Sequence, residues 1–570
     1  MAGKTQVLKP GERDVPGGAA ALAKGLYLLD VIGERETPPR FTDLQIATGL
    51  PKGTLARMLG ALTAFRLIRH EPSDNTYRLG PRLFELAHRV WDTFDLRGAA
   101  APLLERLALE QRETAALTAA DDDQIVYIDQ RSQGGPFAFR IEIGRRAPLH
   151  CSAPGKALLA FAPPHEQRAT LDRLKLERHT PATLVERDAL VAELALSRAR
   201  GYALSRGEHV DGVSSVAAPV FDHTGKAIAA LGLFGPTSRM PIDRLHVLGR
   251  DLMEAARRIS GTVGAAPVSL QPSAPPAIGA DRGVACVLAW GASLAEGPVW
   301  SARERRLYWV DILEPAVHRF DPASGVNETC PMPRLVGAAA ERRAGGLIVA
   351  TQSGIEALDF ETRKLTPLVD PEADLPDNRF NDGKCDARGR FWAGTMSLDA
   401  SRRSGGLYRI EADLSWRRMD QGFVVANGLD WSPDGATLYF ADSAAGAIYA
   451  YPFDAPTGEL GPRRTFARIA PEEGRPDGLA VDSEGRVWCA LWDGWRVRCF
   501  APDGRATRDV RLPAPRPTSV AFGGDELATL FITTARVRLP AKLLAEAPYS
   551  GGIFAVDVGA RGRPANLFVG

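Results

Sequence analysis

Between Leu307 and Leu530 one short apolar strand pattern appears six times: Leu307-Tyr308-Trp309-Val310, Leu347-Ile348-Val349-Ala350, Phe391-Trp392-Ala393-Gly394, Leu438-Tyr439-Phe440-Ala441, Val487-Trp488-Cys489-Ala490 and Leu530-Phe531-Ile532-Thr533. The copies recur about every 40–50 residues, the period of a propeller blade. A partner strand follows each copy, at 317–320, 355–358, 407–410, 448–451, 497–500 and 553–556, so the expected architecture is an all-β six-bladed propeller. The segment from Ala285 to Trp290 is placed to supply the outer strand of the last blade and close the ring. Upstream of most copies stands a polar residue followed closely by glycine, clearest in Glu296-Gly297, Asn381-Asp382-Gly383, Asn427-Gly428 and Asp477-Gly478. A propeller gathers equivalent positions of its blades around one channel, so residues this far apart in sequence can form one site.

At 570 residues the chain is too long for a single core. The net charge of +1 excludes nothing overall, but residues 1–91 carry 13 Lys and Arg against 9 Asp and Glu, a mildly basic segment compatible with nucleic acid. The six cysteines are far apart, with no Cys-x-x-Cys pair, and no His or Cys cluster offers a soft metal site. The first eighteen residues have no apolar signal region and no run approaches a membrane span, so a cytoplasmic, reduced protein without membrane partners is expected.

Two breaks organise the chain: residues 1–18 read as disordered, and residues 263–283, rich in Pro and Ala, read as a semi-rigid linker. Between them residues 19–92 show helical spacing through Leu22, Leu26, Leu29 and Ile32, a second helix with Thr42 as N-cap and Gly49 as its stop, and a third opened by Pro51. A hairpin follows around the turn Ser73-Asp74-Asn75, which makes this a winged helix-turn-helix. Residues 93–262 read as a separate α/β unit, and residues 284–570 as the propeller, giving a multidomain chain. The third helix presents Lys52, Thr54 and Arg57, types that touch phosphates or read guanine edges, and the wing is flanked by Arg69 and Arg78. The bland alternative is a helical dimerisation module with solvated basic residues.

Gly49-Leu50-Pro51-Lys52 and Tyr77-Arg78-Leu79-Gly80 resemble the winged helix of the IclR-type bacterial transcription regulators. The resemblance continues through 150–160 (His-Cys-Ser-Ala-Pro-Gly-Lys-Ala-Leu-Leu-Ala) and through Gly201-Tyr202-Ala203, Glu208, Gly212-Val213 and Ala217-Ala218-Pro219-Val220, covering about 18–264. It implies an operator of double-stranded DNA, a homodimer or homotetramer, and a small-molecule effector held by the positions Ala153, Pro154, Ser205, Ser215, Gly232 and Phe234. Phe234 points to an effector less polar than a small carboxylate or of a different shape, and Gly53, where the family usually has Ser, removes one phosphate contact.

In the propeller, Glu296, Asn427 and Asp477 come from different blades and supply two carboxylates and one amide, all hard oxygen donors. Buried carboxylates without a cation are costly, so the set suits one divalent ion, Ca, Mg or Mn, with Zn less suited. Glu296-Gly297-Pro298-Val299-Trp300, the run from Arg379 to Lys384, Gly394-Thr395-Met396, Asn427-Gly428-Leu429 and Pro476-Asp477-Gly478 make the half similar to the gluconolactonase family that includes senescence marker protein (regucalcin) and luciferin-regenerating enzyme. That resemblance implies metal on Glu296, Asn427 and Asp477, lactone contacts from Arg379 and Asn381, and a sugar-binding acid, Glu in some members, falling here at Asp399. Asp477, beside metal and water, is then the general base of lactone hydrolysis. The reading that results is a regulator of sugar or sugar-acid catabolism fused to a sugar lactone hydrolase. Its rivals are a regulator whose propeller only senses a lactone, and a lactonase whose N-terminal half only oligomerises.

Overall fold

The computed structural model describes residues 20–35, 37–83, 85, 96–133, 139–263, 281 and 283–570. The N-terminal segment 1–18 and nearly all of the linker 263–283 lie outside the described residues. The chain divides into two compact units, 1–101 and 102–570.

In the first unit, helices Ala20–Gly33, Phe41–Thr48 and Lys52–Ala64 precede a hairpin of Ile68–Glu71 and Thr76–Leu79. Leu28, Leu44, Leu55, Leu59 and Ile68 form its core. The second helix starts one residue before Thr42: Phe41 is already helical, Arg40 is the N-cap, and the Arg40 N–H donates to Asp43 at 2.8 Å. Thr42 therefore sits within the first turn, and the aspartate two positions into the helix satisfies the open donor instead. Gly49 ends the helix in the left-handed region at φ 67°, as its lack of a side chain permits. Pro51 stands as N-cap, one position ahead of the first helical residue, Lys52.

The second unit contains a six-stranded antiparallel sheet in the order 146–148, 124–131, 114–121, 227–236, 213–221, 203–206. Helix Ala153–Phe161 and the amphipathic helix Ile242–Thr262 both pack against the strands 213–221 and 227–236. The rest of the unit is six antiparallel sheets, each built on four strands, with a two-residue strand, Glu459–Leu460, added to the fourth. Their first strands are Ala295–Ser301, Val336–Glu341, Asn378–Cys385, Ala426–Trp431, Arg475–Val481 and Pro517–Gly523. Each first strand packs against the next, and the last packs against the first, so the array closes on itself. The outer strand of the sixth sheet is Ala285–Leu288, paired with Ile553–Asp557, as the sequence predicts.

The six repeated strands are the second of each sheet, not the innermost. In them the apolar copies are buried on both faces, with Leu347–Thr351 buried throughout, while an outer strand such as Lys364–Val369 is largely exposed. Burial on both sides is what makes an uninterrupted apolar run. The polar-glycine motifs lie within the first strands. Glycine there answers to crowding: a Cβ on Gly428 would meet the Asp477 carbonyl at 2.6 Å, and one on Gly478 would meet Ser519 Cα at 2.6 Å. Neighbouring first strands could not approach this closely with a side chain between them.

Candidate active site

All six first strands break register at one equivalent level, between Glu296 and Val299, Val336 and Ala338, Phe380 and Asp382, Ala426 and Leu429, Pro476 and Leu479, and Pro517 and Ser519. A bulge leaves residues out of the ladder and re-aims their side chains. The residues at or flanking the six bulges are Glu296, Gly337, Asn381, Asn427, Asp477 and Thr518. Four of these are sequence-predicted site residues, and all four are buried. Gly337 offers no side chain. Thr518 donates to the Ala295 carbonyl and shares a 2.7 Å hydrogen bond with Thr533, so its hydroxyl is used within the fold.

Asn427 Nδ2 donates to Asp477 Oδ1 and, at 3.1 Å, to Ser443. Its Oδ1 is buried without a partner. Glu296 accepts only its neighbour's amide, Gly297 N–H at 3.1 Å. Burial, then the charges of Asp477 and Asp382, push the Glu296 carboxyl well above its usual range; burial and Asp382 do the same to Asp477. Arg379 lies within their field, and burial lowers its guanidinium to about 10 against the pull of Glu296 and Asp477. Arg379 Nη1 donates to Asn381 Oδ1 at 2.8 Å, and Asn381 Nδ2 donates to the Ala426 carbonyl at 2.9 Å, tying the third first strand to the fourth. A cavity of about 310 Å³ opens beside Arg379, lined also by Gln352, Ser353, Asp370 and Asn378.

The donors fit a hard divalent cation. An orphaned amide oxygen and two carboxylates held towards their neutral forms are groups that such an ion would satisfy. Asp382, buried and also raised by burial, was not singled out as a site residue from the sequence. Its signal was present, in the Asn-Asp-Gly motif, but a turn aspartate and a channel aspartate read alike. Asp399 is exposed and bound locally by Ser401 at 2.7 Å and Ser397 at 2.8 Å, which hold its carboxyl down at about 2.

In the first unit Lys52 and Arg57 are exposed and Thr54 is half-buried on the third helix. Arg69 and Arg78 are register partners across the hairpin, and Arg78 is engaged by Asp74 at 3.2 Å. The positions Ala153, Pro154, Ser205, Ser215, Gly232 and Phe234 are all buried. Ser205 pairs with Ser215, and Ser215 with Phe234, so they run across three adjacent strands. The Ser205 hydroxyl donates to the Cys151 carbonyl at 2.8 Å, and the Phe234 ring packs on Tyr127 and Phe139. Beside them Lys156 is paired inside the domain with both oxygens of Glu208, at 2.7 and 2.8 Å. In the propeller half the sequence offers no His or Cys cluster; in the regulator half the fold assembles one. Among the described residues one trio of His, Cys, Asp and Glu donors lies within 4.8 Å, and it is His150, Cys151 and His179. His179 is remote in sequence from the other two, so spacing alone could not reveal it.

Residues 294–536 match the model of the SMP-30/Gluconolactonase/LRE-like region, residues 88–261 that of the bacterial transcriptional regulator IclR C-terminal region, and residues 21–72 that of the IclR helix-turn-helix domain. The chain is 42% identical over 288 residues to the 6-deoxy-6-sulfogluconolactonase of Pseudomonas putida, covering 50% of this chain and 98% of that protein. It is 35% identical over 294 residues to regucalcin of Xenopus laevis, again covering 50% of this chain and 98% of the relative. With regucalcin of Danio rerio the identity is 36% over 291 residues, with the same two shares. Through its second half the chain belongs to the SMP-30/gluconolactonase/LRE-like family, and it carries that half in one polypeptide with an IclR helix-turn-helix and an IclR C-terminal region.

Proposed function

We propose that the six sheets are the blades of a six-bladed propeller acting as a divalent-metal-dependent sugar lactone hydrolase, fused to a DNA-binding regulator of sugar or sugar-acid catabolism. The observation that carries the reading is the convergence of Glu296, Asn427 and Asp477 on the bulges of three first strands, buried, with the Asn427 Oδ1 unpartnered. The similarity to a sulfogluconolactonase supports sugar lactones as the substrate class. A bound hard cation supplies Lewis-acid polarisation of a carbonyl and the positive charge that keeps Glu296 and Asp477 ionised.

The chain's own residues do the rest. Asp477 takes the proton of the attacking water as the water oxygen bonds to the lactone carbonyl carbon. The ring ester C–O bond then breaks, and the ring oxygen takes that proton from Asp477, which gives the open hydroxy acid and restores the carboxylate. Arg379, which lines the 310 Å³ cavity, and Asn381, joined to it by a hydrogen bond, orient sugar hydroxyls and take no part in proton transfer. Asp399, on an exposed turn next to the strand that pairs with Arg379, is a sugar contact at the rim.

In the regulator half, Lys52, Thr54 and Arg57 form the DNA-facing surface, and the buried positions from Ala153 to Phe234 bound the effector pocket. The domain limits taken are 19–92, 93–262 and 284–570, with the linker between the last two, and the assembly is a dimer or tetramer in the cytoplasm. Among the described residues no helix is long and apolar enough to cross a membrane. A panel of aldonolactones assayed by acid release tests the enzyme: turnover by the wild-type chain and its loss in Asp477→Ala support it, and no turnover across the panel refutes it in favour of a lactone sensor.

A further inference from the structure

We infer that the regulator half holds a second metal site, distinct from that of the sheets, in which His150, Cys151 and His179 bind a borderline transition-metal ion such as zinc. The three donors lie within 4.8 Å of one another. His150 is 1% exposed and Cys151 fully buried. His150 Nε2 lies 3.0 Å from the Glu177 carbonyl, an acceptor, so Nε2 carries the proton and Nδ1 carries the lone pair. That Nδ1 is buried and has no partner. A ring fixed through one nitrogen by a backbone carbonyl, with the other nitrogen free, is the arrangement a metal-ligating histidine adopts.

The donor chemistry selects the ion. Two imidazoles and a thiolate suit zinc and its neighbours and disfavour calcium or magnesium, which prefer oxygen. Burial pushes the Cys151 thiol up to about 12 in the metal-free chain, so its proton leaves only when the ion itself binds the sulfur. The cation nearest in this pocket, Lys156, is already neutralised by Glu208. His209, whose ring centroid is 5.4 Å from that of His179, stands next to the trio, and the exposed side at His179 leaves a coordination position for water or an effector group.

The test uses full-length protein stripped with a chelator and then saturated with calcium, so that the oxygen site is filled. Cobalt is added as the probe. The inference predicts one tightly bound cobalt per chain with a thiolate-to-cobalt charge-transfer band, displaced by zinc. Cys151→Ser removes the band, and His179→Ala, at an exposed position that does not threaten folding, removes the tight equivalent. Absence of the band, or its survival in both variants, overturns the inference.

Discussion

Asn427 gives both of its described amide hydrogen bonds away, to Asp477 and to Ser443, and keeps a buried oxygen with nothing bound to it. In a first strand packed as tightly as this one, an orphaned acceptor beside two buried carboxyls whose ionisation burial opposes is an expensive arrangement. It becomes favourable when a cation is supplied, and that links the bulges of the inner strands to the chemistry proposed for them.

Cation-free protein should therefore lose stability as pH rises. Glu296 and Asp477 have raised carboxyls in the fold, so their contribution is full below the ordinary carboxylate range and is lost as pH climbs through the raised values. Each group costs about 1.4 kcal/mol per pH unit in that window. Melting the chelated chain between about pH 5 and 8 should show a falling Tm that added calcium restores, most strongly at the alkaline end. A calcium effect independent of pH would contradict this.

Replacing Asp477 by Asn separates stability from activity. The amide removes a buried carboxyl whose ionisation the fold penalises, so above the ordinary carboxylate range chelated Asp477→Asn should be more stable than the chelated wild type by about 1–3 kcal/mol, while the calcium-loaded variant loses turnover. Denaturant unfolding of the chelated proteins and the acid-release assay of the calcium-loaded ones check the two halves.

The Lys156–Glu208 pair, 1% and 11% exposed, should be unforgiving of single changes. Lys156→Met leaves a buried carboxylate alone and should cost about 3–5 kcal/mol, whereas Lys156→Met with Glu208→Gln should cost much less. A double-mutant cycle by chemical denaturation measures the difference.

Within the second unit the His246 ring stacks on Trp290 at 3.8 Å, Tyr202 hydrogen-bonds His246 at 2.7 Å, and Arg206 approaches Glu314 at 3.6 Å. The His246–Trp290 and Arg206–Glu314 contacts join the α/β sheet region to the ring of sheets, and Tyr202 holds the His246 ring from within the α/β region. Trp290→Ala should cost about 3–5 kcal/mol and split one thermal transition into two. Calorimetry reads the outcome.

On the DNA side, Lys52→Ala should weaken binding evenly across sequences and lower the salt slope by about 1, while Arg57→Ala should cost about 1–3 kcal/mol and relax specificity at one base pair. Titrations over a range of salt on specific and random duplexes distinguish the two effects.

Much of this was legible because burial writes itself into sequence. The six second strands are apolar on both faces and so stood out as repeats. The first strands, which carry the site, were visible only through their polar-glycine pairs, because glycine is forced where strands such as those of Gly428 and Asp477 touch. What the sequence could not give is set by the bulges and by distance along the chain. Asp382 differs from an ordinary turn residue only in where the third strand bends. His179 joins His150 and Cys151 only once the α/β unit has folded. Thr42 gave way to Arg40 as N-cap because Asp43 could serve the open donor.

The most direct test of the central claim is acid release from aldonolactones by chelator-stripped chain, followed by return of single cations. The account predicts no turnover when stripped, recovery with calcium, magnesium or manganese, and no recovery in Asn427→Leu or Asp477→Asn. Undiminished turnover by the stripped protein, or full recovery in either variant, would contradict it.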